Sequence, residues 1–237
     1  MATRAVEEAV AGTHMVRLIR TERRGPAAAR NAGVAAAKGA FVCFTDDDCE
    51  PDPDWVSLLV ASLRSGADVV AGPVENGCPD NSFASAWHAI VDYLGQTAGT
   101  SGGAFAPSNN VACRIDVARA IPFDETYENA AGEDRDWAAR VVAAGHRIAR
   151  EPRARVVHRQ ALDFRGFMRQ HFRYGRGAHT FRRARGGIER PAFYLRLIAY
   201  GFSRGFTTGV LVAIAQAATA AGFFAARAGT RPRRRPQ

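Results

Sequence analysis

Phe41-Val42-Cys43-Phe44 runs without a polar side chain to Thr45 and then into Asp46-Asp47-Asp48. A strand that reads as an unbroken apolar run is covered on both faces, which predicts a sheet sandwiched by helices. In open sheets of that kind ligands bind outside the carboxyl ends of the strands, where these three carboxylates fall. Adjacent carboxylates repel one another, so a cation or several donors between them relieves the site. An all-oxygen set of this type suits Mg2+ or Mn2+, held through one or two carboxylates plus substrate phosphates. The alternative is an acidic loop capping the next helix, helped by Glu50, Asp52 and Asp54.

The surrounding pattern alternates. Residues 3–11 read as the end of an amphipathic helix closed by Gly12, and Val16 to Ile19 as a short strand. After a turn at Gly25, Pro26 suits a first helical position, Ala27 to Lys38 is rich in helix formers, and Gly39 fits a helix end. Beyond the Pro51 and Pro53 breakers, Asp54 to Leu63 reads as helix and Asp68 to Val74 as another buried strand. Residues 76–107 loosen into a Gly-, Ser- and aromatic-containing stretch. Residues 133–144 return to helical spacing, with Trp137, Val141 and Val142 as packing positions and Gly145 as the stop. Helices alternating with strands predict an α/β fold with a mostly parallel sheet.

Charge divides the chain. The 237 residues carry +9 overall, but residues 1–149 carry −7 and residues 150–237 carry +16. A net positive protein can meet nucleic acid, an anionic membrane or a phosphorylated substrate, and the division separates an acidic site from a basic tail. All basic residues but Lys38 are Arg. The four cysteines, Cys43, Cys49, Cys78 and Cys113, form no Cys-x-x-Cys pair, and their usage fits a reducing compartment. The first twelve residues have no apolar segment, which excludes a signal peptide there.

Two further features gain weight in combination. Gly132-Glu133-Asp134 opens the 133–144 helix, where acidic residues are also favoured simply by the helix dipole. His158 follows Val156-Val157, a setting in which a histidine is commonly structural. An apolar strand entering Asp-x-Asp, preceded by GPAAARNAGVAAAKG and followed about 85 residues later by FDETYENAAGEDRDWAARVVAAGHRI, closely resembles the family 2 glycosyltransferases of the GT-A fold. The likeness runs from residue 1 to about residue 180. It implies a nucleotide-diphosphate sugar donor, with Asp46 and Asp48 on ribose and divalent metal, and Asp47 beside them. Arg30 and Asn31 match the Ala-Arg-Asn motif that lies against the nucleotide. Gly102 and Gly103 resemble the loop beside the donor sugar, and Glu133 precedes Asp134, the general base on the acceptor hydroxyl. His158 resembles the histidine that completes the metal site. RQHFRYGRG (169–177) resembles a basic-aromatic segment in which Arg173 and Arg176 meet the departing diphosphate. A base opposite the leaving group implies inversion.

Members of that family ordinarily open with two strands upstream of the helix that resembles residues 2–6 here. The expectation is therefore a catalytic domain, residues 1–160, that is N-terminally incomplete or a degenerate relative, followed by a helical region, residues 161–237. Residues 150–190 hold 12 Arg with Phe164, Phe167, Phe172, Tyr174 and Phe181 between them. Basic and aromatic residues together suit single-stranded nucleic acid or a helix on an anionic membrane surface. Residues 205–226 then run for 22 positions without a charge, flanked by Arg204 and Arg227, which favours the membrane. The length meets the roughly 20 residues of a span. Gln216 and several Ala, Gly and Thr equally suit a buried or interfacial hairpin with Ala192 to Phe202. The arginines place the tail on the cytosolic side. The expected activity is inverting, metal-dependent glycosyl transfer at the cytoplasmic face of a membrane, onto a lipid-linked, cell-envelope or small-molecule acceptor. Trp87, Ser108, Asn109 and Asn110 are candidate acceptor contacts. The competing expectation is an inactive membrane-bound scaffold; nucleic-acid binding ranks third.

Overall fold

The computed structural model describes residues 16–21, 25–97, 105–127, 131–186 and 190–229. The predicted helix at residues 3–11 and the Gly102-Gly103 pair lie outside these described residues. The first elements are α1 (Gly25–Ala36), β1 (Phe41–Phe44), β2 (Cys49–Pro51) and α2 (Trp55–Arg64). β3 (Val69–Ala71), β4 (Val74–Asn76), α3 (Ser82–Thr97), β5 (Val111–Arg114) and α4 (Ile115–Ala120) follow. Next come α5 (Glu133–Ala143), β6 (Ile148–Arg150) and β7 (Val156–His158). Three helices close the described chain: α6 (Phe164–Arg185), α7 (Pro191–Ser203) and α8 (Phe206–Gly229).

Two mixed sheets replace the single mostly parallel sheet predicted from the pattern. The larger has the order β1-β5-β3-β6 and the smaller β2-β7-β4. In the larger sheet β5 runs antiparallel to both β1 and β3, while β3 and β6 are parallel. Three of its four strands therefore share a direction, and β5 is inserted between them. The predicted Asp68–Val74 strand divides in two because Pro73 lacks an N–H for the ladder; β3 lies in one sheet and β4 in the other. Val16 to Ile19 forms no strand, for it has no ladder partner among the described residues, and Val16 is exposed.

The larger sheet is covered as its period-two pattern requires. Val69, Ala71, Val111, Cys113 and Phe44 face a core built with α1, α4 and α5. Val70 and Ala112, the residues between, face the opposite core with Trp55, Leu59 and Leu63 of α2. In the first core Phe123 stacks on Trp137 at 5.0 Å between ring centroids, and the Trp137 indole donates to the Ile121 carbonyl at 2.8 Å. Trp137 and Val141 are buried as expected; Val142 is 47% exposed and packs against neither core, because it lies on the solvent side of α5.

A third core joins α3 to α6, α7 and α8 through Phe167, Leu197, Val212 and Ala215. α7 and α8 form a hairpin, which was one of the two arrangements open from sequence. The small residues of α6 set how closely its neighbours approach. A Cβ on Gly175 would lie 1.9 Å from the Thr219 carbonyl of α8, and one on Gly177 would lie 1.8 Å from the Ala131 carbonyl. α6 thus holds α8 on one side and, on another, the loop that opens α5.

Candidate active site

The carboxylates after β1, the start of α5 and the end of β7 converge, although they come from positions 46–48, 133–134 and 158. Arg30, on α1, joins the first two. Its guanidinium donates to Asp46 Oδ1 at 2.9 Å and to Glu133 Oε1 at 3.0 Å. Burial works against the Arg30 charge, but Asp46 and Glu133 more than offset it and its pKa is raised. The Glu133 side chain is only 4% exposed and also accepts from the Ala131 backbone N–H at 2.8 Å. Gly132, at φ +95°, turns the chain into α5 in the left-handed region that favours glycine.

Asp134, which follows Glu133 in the first turn of α5, is half-buried. Burial pushes its carboxyl up to about 6, with the Glu133 charge adding to the effect and the Arg135 backbone N–H opposing it. A carboxylate tuned this way is matched to taking a proton near neutral pH. Tyr174 of α6 lies close enough that the charges of Asp134 and Glu133 reinforce the effect of burial, and its phenol is pushed up to about 12. That oxygen accepts from Trp87 Nε1 at 3.0 Å and from Gln170 Nε2 at 2.7 Å.

On the other side of the cluster His158 Nε2 lies 3.2 Å from Asp48 Oδ2, with the two side chains 5% and 37% exposed. His158 Nδ1 is buried without a hydrogen-bond partner. Trp87 and His88 line the imidazole, at 4.8 and 5.6 Å between ring centroids. Burial and the neighbouring His158 lower His88 to about 4, so His88 is neutral at pH 7. A carboxylate and an imidazole in contact, with the ring otherwise without a hydrogen-bond partner, fit a divalent cation. Asp48 and His158 are the residues that would hold it.

The remaining expected residues fall in different places. Asp47 is exposed beside the cluster. Asn31 uses its amide to hold the 123–125 segment: it donates to the Phe123 carbonyl and accepts from the Phe123 N–H, both at 2.9 Å. Asn110, a candidate acceptor contact, is instead a fully buried scaffold residue. It accepts from Trp55 Nε1 at 2.8 Å and donates to the carbonyls of Pro73 and Ala154 at 2.7 and 2.9 Å. Its position between the two sheets consumes every group that an acceptor would need. Ser108 and Asn109 are also buried. Arg173 and Arg176 are exposed and line a cavity of about 530 Å³ with Tyr127, Ala131 and Thr180, next to the start of α5. Tyr174 and Cys49 were not among the site residues expected from sequence. Tyr174 sits between the two arginines; the signal for Cys49 is its place beside Asp48, where burial pushes its thiol up to about 11.

Comparison with known proteins bears on the family and the fold. The model of "Glycosyl transferase family 2" matches residues 2–124, over half of the chain. The "Pre-mycofactocin glycosyltransferase" of Mycobacterium tuberculosis (strain CDC 1551 / Oshkosh) is 33% identical over 165 residues, covering 65% of this chain and 34% of that protein. "Glycosyltransferase AglE" of Haloferax volcanii is 29% identical over 162 residues, covering 68% of this chain and 52% of that protein. The chain thus spans between a third and about half of the length of these relatives. Among solved structures, the mannosyltransferase PcManGT from Pyrobaculum calidifontis, in complex with GDP-Man and Mn2+, superposes with a TM-score of 0.56 at 20% identity. That match covers 97% of this chain and 63% of that one. GalNAc-T7 with UDP, GalNAc and Mn2+ superposes with a TM-score of 0.51 at 14% identity, covering 85% and 46%. With its α/β architecture of GT-A type and a family match that takes in Arg30, Asn31 and Asp46 to Asp48, the chain belongs to glycosyl transferase family 2.

Proposed function

We propose that the protein transfers a sugar from a nucleotide-diphosphate donor to an acceptor hydroxyl, with inversion at the anomeric carbon and with Mg2+ or Mn2+. The observation that carries this reading is the convergence of Asp46, Asp48, His158 and Asp134, joined through Arg30 and Glu133. The Mn2+ and nucleotide ligands of the two superposed structures support it. When bound, the cation supplies charge neutralisation for the donor diphosphate. Asp46, oriented by Arg30, faces the ribose, and Asn31 positions the loop behind it. Gly102 and Gly103 are assigned to the donor sugar by motif alone. Asp134 accepts the proton of the attacking hydroxyl as the glycosidic bond to the diphosphate breaks, and attack from the face opposite the leaving group inverts the carbon. Arg173 and Arg176 stabilise the leaving diphosphate.

We assign residues 1–160 to catalysis and 161–237 to a helical region, with α3 docking the two together through the third core. α8 is 24 residues long with a mean hydropathy of 1.8 over its most apolar window. Its buried stripe, Gly209, Val212, Ala215, Ala218 and Gly222, is spent on α3, α6 and α7. Because α6 is rich in arginine along its length, α8 cannot cross a bilayer while packed on it without carrying those charges inside. The helices therefore lie in the plane of the cytoplasmic membrane surface, with Phe206 and Leu195, 79% and 68% exposed, toward the lipid.

The test incubates the full chain with UDP- and GDP-sugars and short lipid-linked or small-molecule acceptors, following nucleoside diphosphate release. Turnover that stops on chelation and returns with Mn2+ is expected. Turnover indifferent to chelation would overturn the metal-dependent mechanism. Failure of every nucleotide to protect the chain from unfolding would favour the inactive scaffold.

A further inference from the structure

We propose that Cys49 is a third donor at the position formed by Asp48 and His158, making an oxygen, sulfur and nitrogen site that selects Mn2+, Co2+ or Zn2+ over Mg2+. The proposal rests on the reading of Asp48 and His158 as a divalent-metal pair and adds to it the identity of the ion. Cys49 opens β2 and lies directly opposite His158 in the antiparallel ladder with β7. Residues directly opposite in such a ladder project from the same face. The thiol and the imidazole are thus side by side by register, and Asp48, one residue earlier, brings its carboxylate to both. Cys49 Sγ is 3.7 Å from Asp48 Oδ1, and His158 Nε2 is 3.2 Å from Asp48 Oδ2. The ligand atoms of the three residues all lie within 4.8 Å of one another.

His158 is 4% exposed, it presents Nε2 to Asp48, and Trp87 and His88 pack against its ring. A buried imidazole fixed in orientation beside a carboxylate and a thiol is a preformed nitrogen donor. Mg2+ prefers oxygen donors and keeps its waters, whereas sulfur and imidazole favour the later divalent ions. Binding exchanges the Cys49 S–H bond for a sulfur–metal bond, and the proton leaves to solvent.

The purified full chain is titrated with Co2+, alone and with UDP or GDP. The expected result is a near-ultraviolet sulfur-to-cobalt charge-transfer band that disappears in Cys49→Ser and persists in Cys43→Ser and Cys78→Ser. Removal of the sulfur should weaken Co2+ binding by at least about tenfold and leave Mg2+ binding unchanged. In the unmodified chain, Mn2+ should displace Co2+ at lower concentration than Mg2+, and Co2+ binding should release a proton that Cys49→Ser does not release. Cobalt bound without the band, in a manner sensitive to Asp48→Asn, would overturn the role of Cys49 and leave the Asp48–His158 pair standing. No cobalt bound under either condition would overturn both.

Discussion

Arg30→Ala tests the link between the carboxylates after β1 and the helix that carries Asp134. Arg30 is 12% exposed and spans Asp46, 39% exposed, and Glu133, 4% exposed. Loss of the contact with half-exposed Asp46 costs no more than about 1 kcal/mol, as for other solvent-screened pairs. Glu133 decides the outcome, because breaking a buried pair leaves an uncompensated charge worth about 3–5 kcal/mol. The expected loss at pH 7 is therefore about 3–4 kcal/mol. Urea unfolding followed by the fluorescence of buried Trp55 and Trp137 reads the difference. At a slope near 3 kcal/mol per M, the midpoint moves down by about 1 M at pH 7. Arg30→Ala with Glu133→Gln should recover about 2 kcal/mol, since a neutral amide avoids the buried charge. A loss below about 1 kcal/mol, or no recovery in the double variant, would show that Arg30 does not hold a buried Glu133 charge.

Turnover should rise with pH through an inflection near 6, because Asp134 must be ionised to accept a proton and its carboxyl lies at about 6. The same shift means that the folded state binds the proton more tightly than the unfolded chain, so the Asp134 contribution to stability grows as pH falls from about 6 toward 4; a flat rate profile across pH 5–7 would contradict the assignment. Gly177→Ala places a Cβ 1.8 Å from the Ala131 carbonyl, so α6 and the loop opening α5 must separate. It should cost about 1–3 kcal/mol in thermal or urea unfolding and lower turnover more than donor affinity; unchanged stability and turnover would show that this contact does not position Asp134.

Features that depend on local pattern were legible in the sequence. The apolar run entering Asp46-Asp47-Asp48 became β1 and its carboxyl-end loop, and the acidic pair at 133–134 opens α5. The combination of His158 with Asp48 was legible only through family resemblance, since nothing in the spacing of two residues 110 apart specifies contact. The Arg30 bridge to Glu133 is likewise a tertiary outcome, and Cys49 meets His158 only because of the register between β2 and β7. Asn110 misled for a physical reason: a polar pair in a loop looks available until the two sheets close over it. α8 has the composition of a span, but composition does not show which stripe packs on α6. The split of residues 68–74 between two sheets required knowing where Pro73 falls relative to both ladders.

Asp134 is proposed as the base of a glycosyl transfer whose donor is held elsewhere in the cluster. Its most direct test compares the unmodified chain with Asp134→Asn, measuring donor affinity by calorimetry and transfer by nucleoside diphosphate release, with the product's anomeric configuration read by NMR. The expected result is an inverted product, donor affinity within about threefold of the original, and transfer reduced by about 10²-fold or more, the scale of a positioned acid or base. A retained anomeric configuration, or an Asp134→Asn variant that transfers at the original rate, would contradict it.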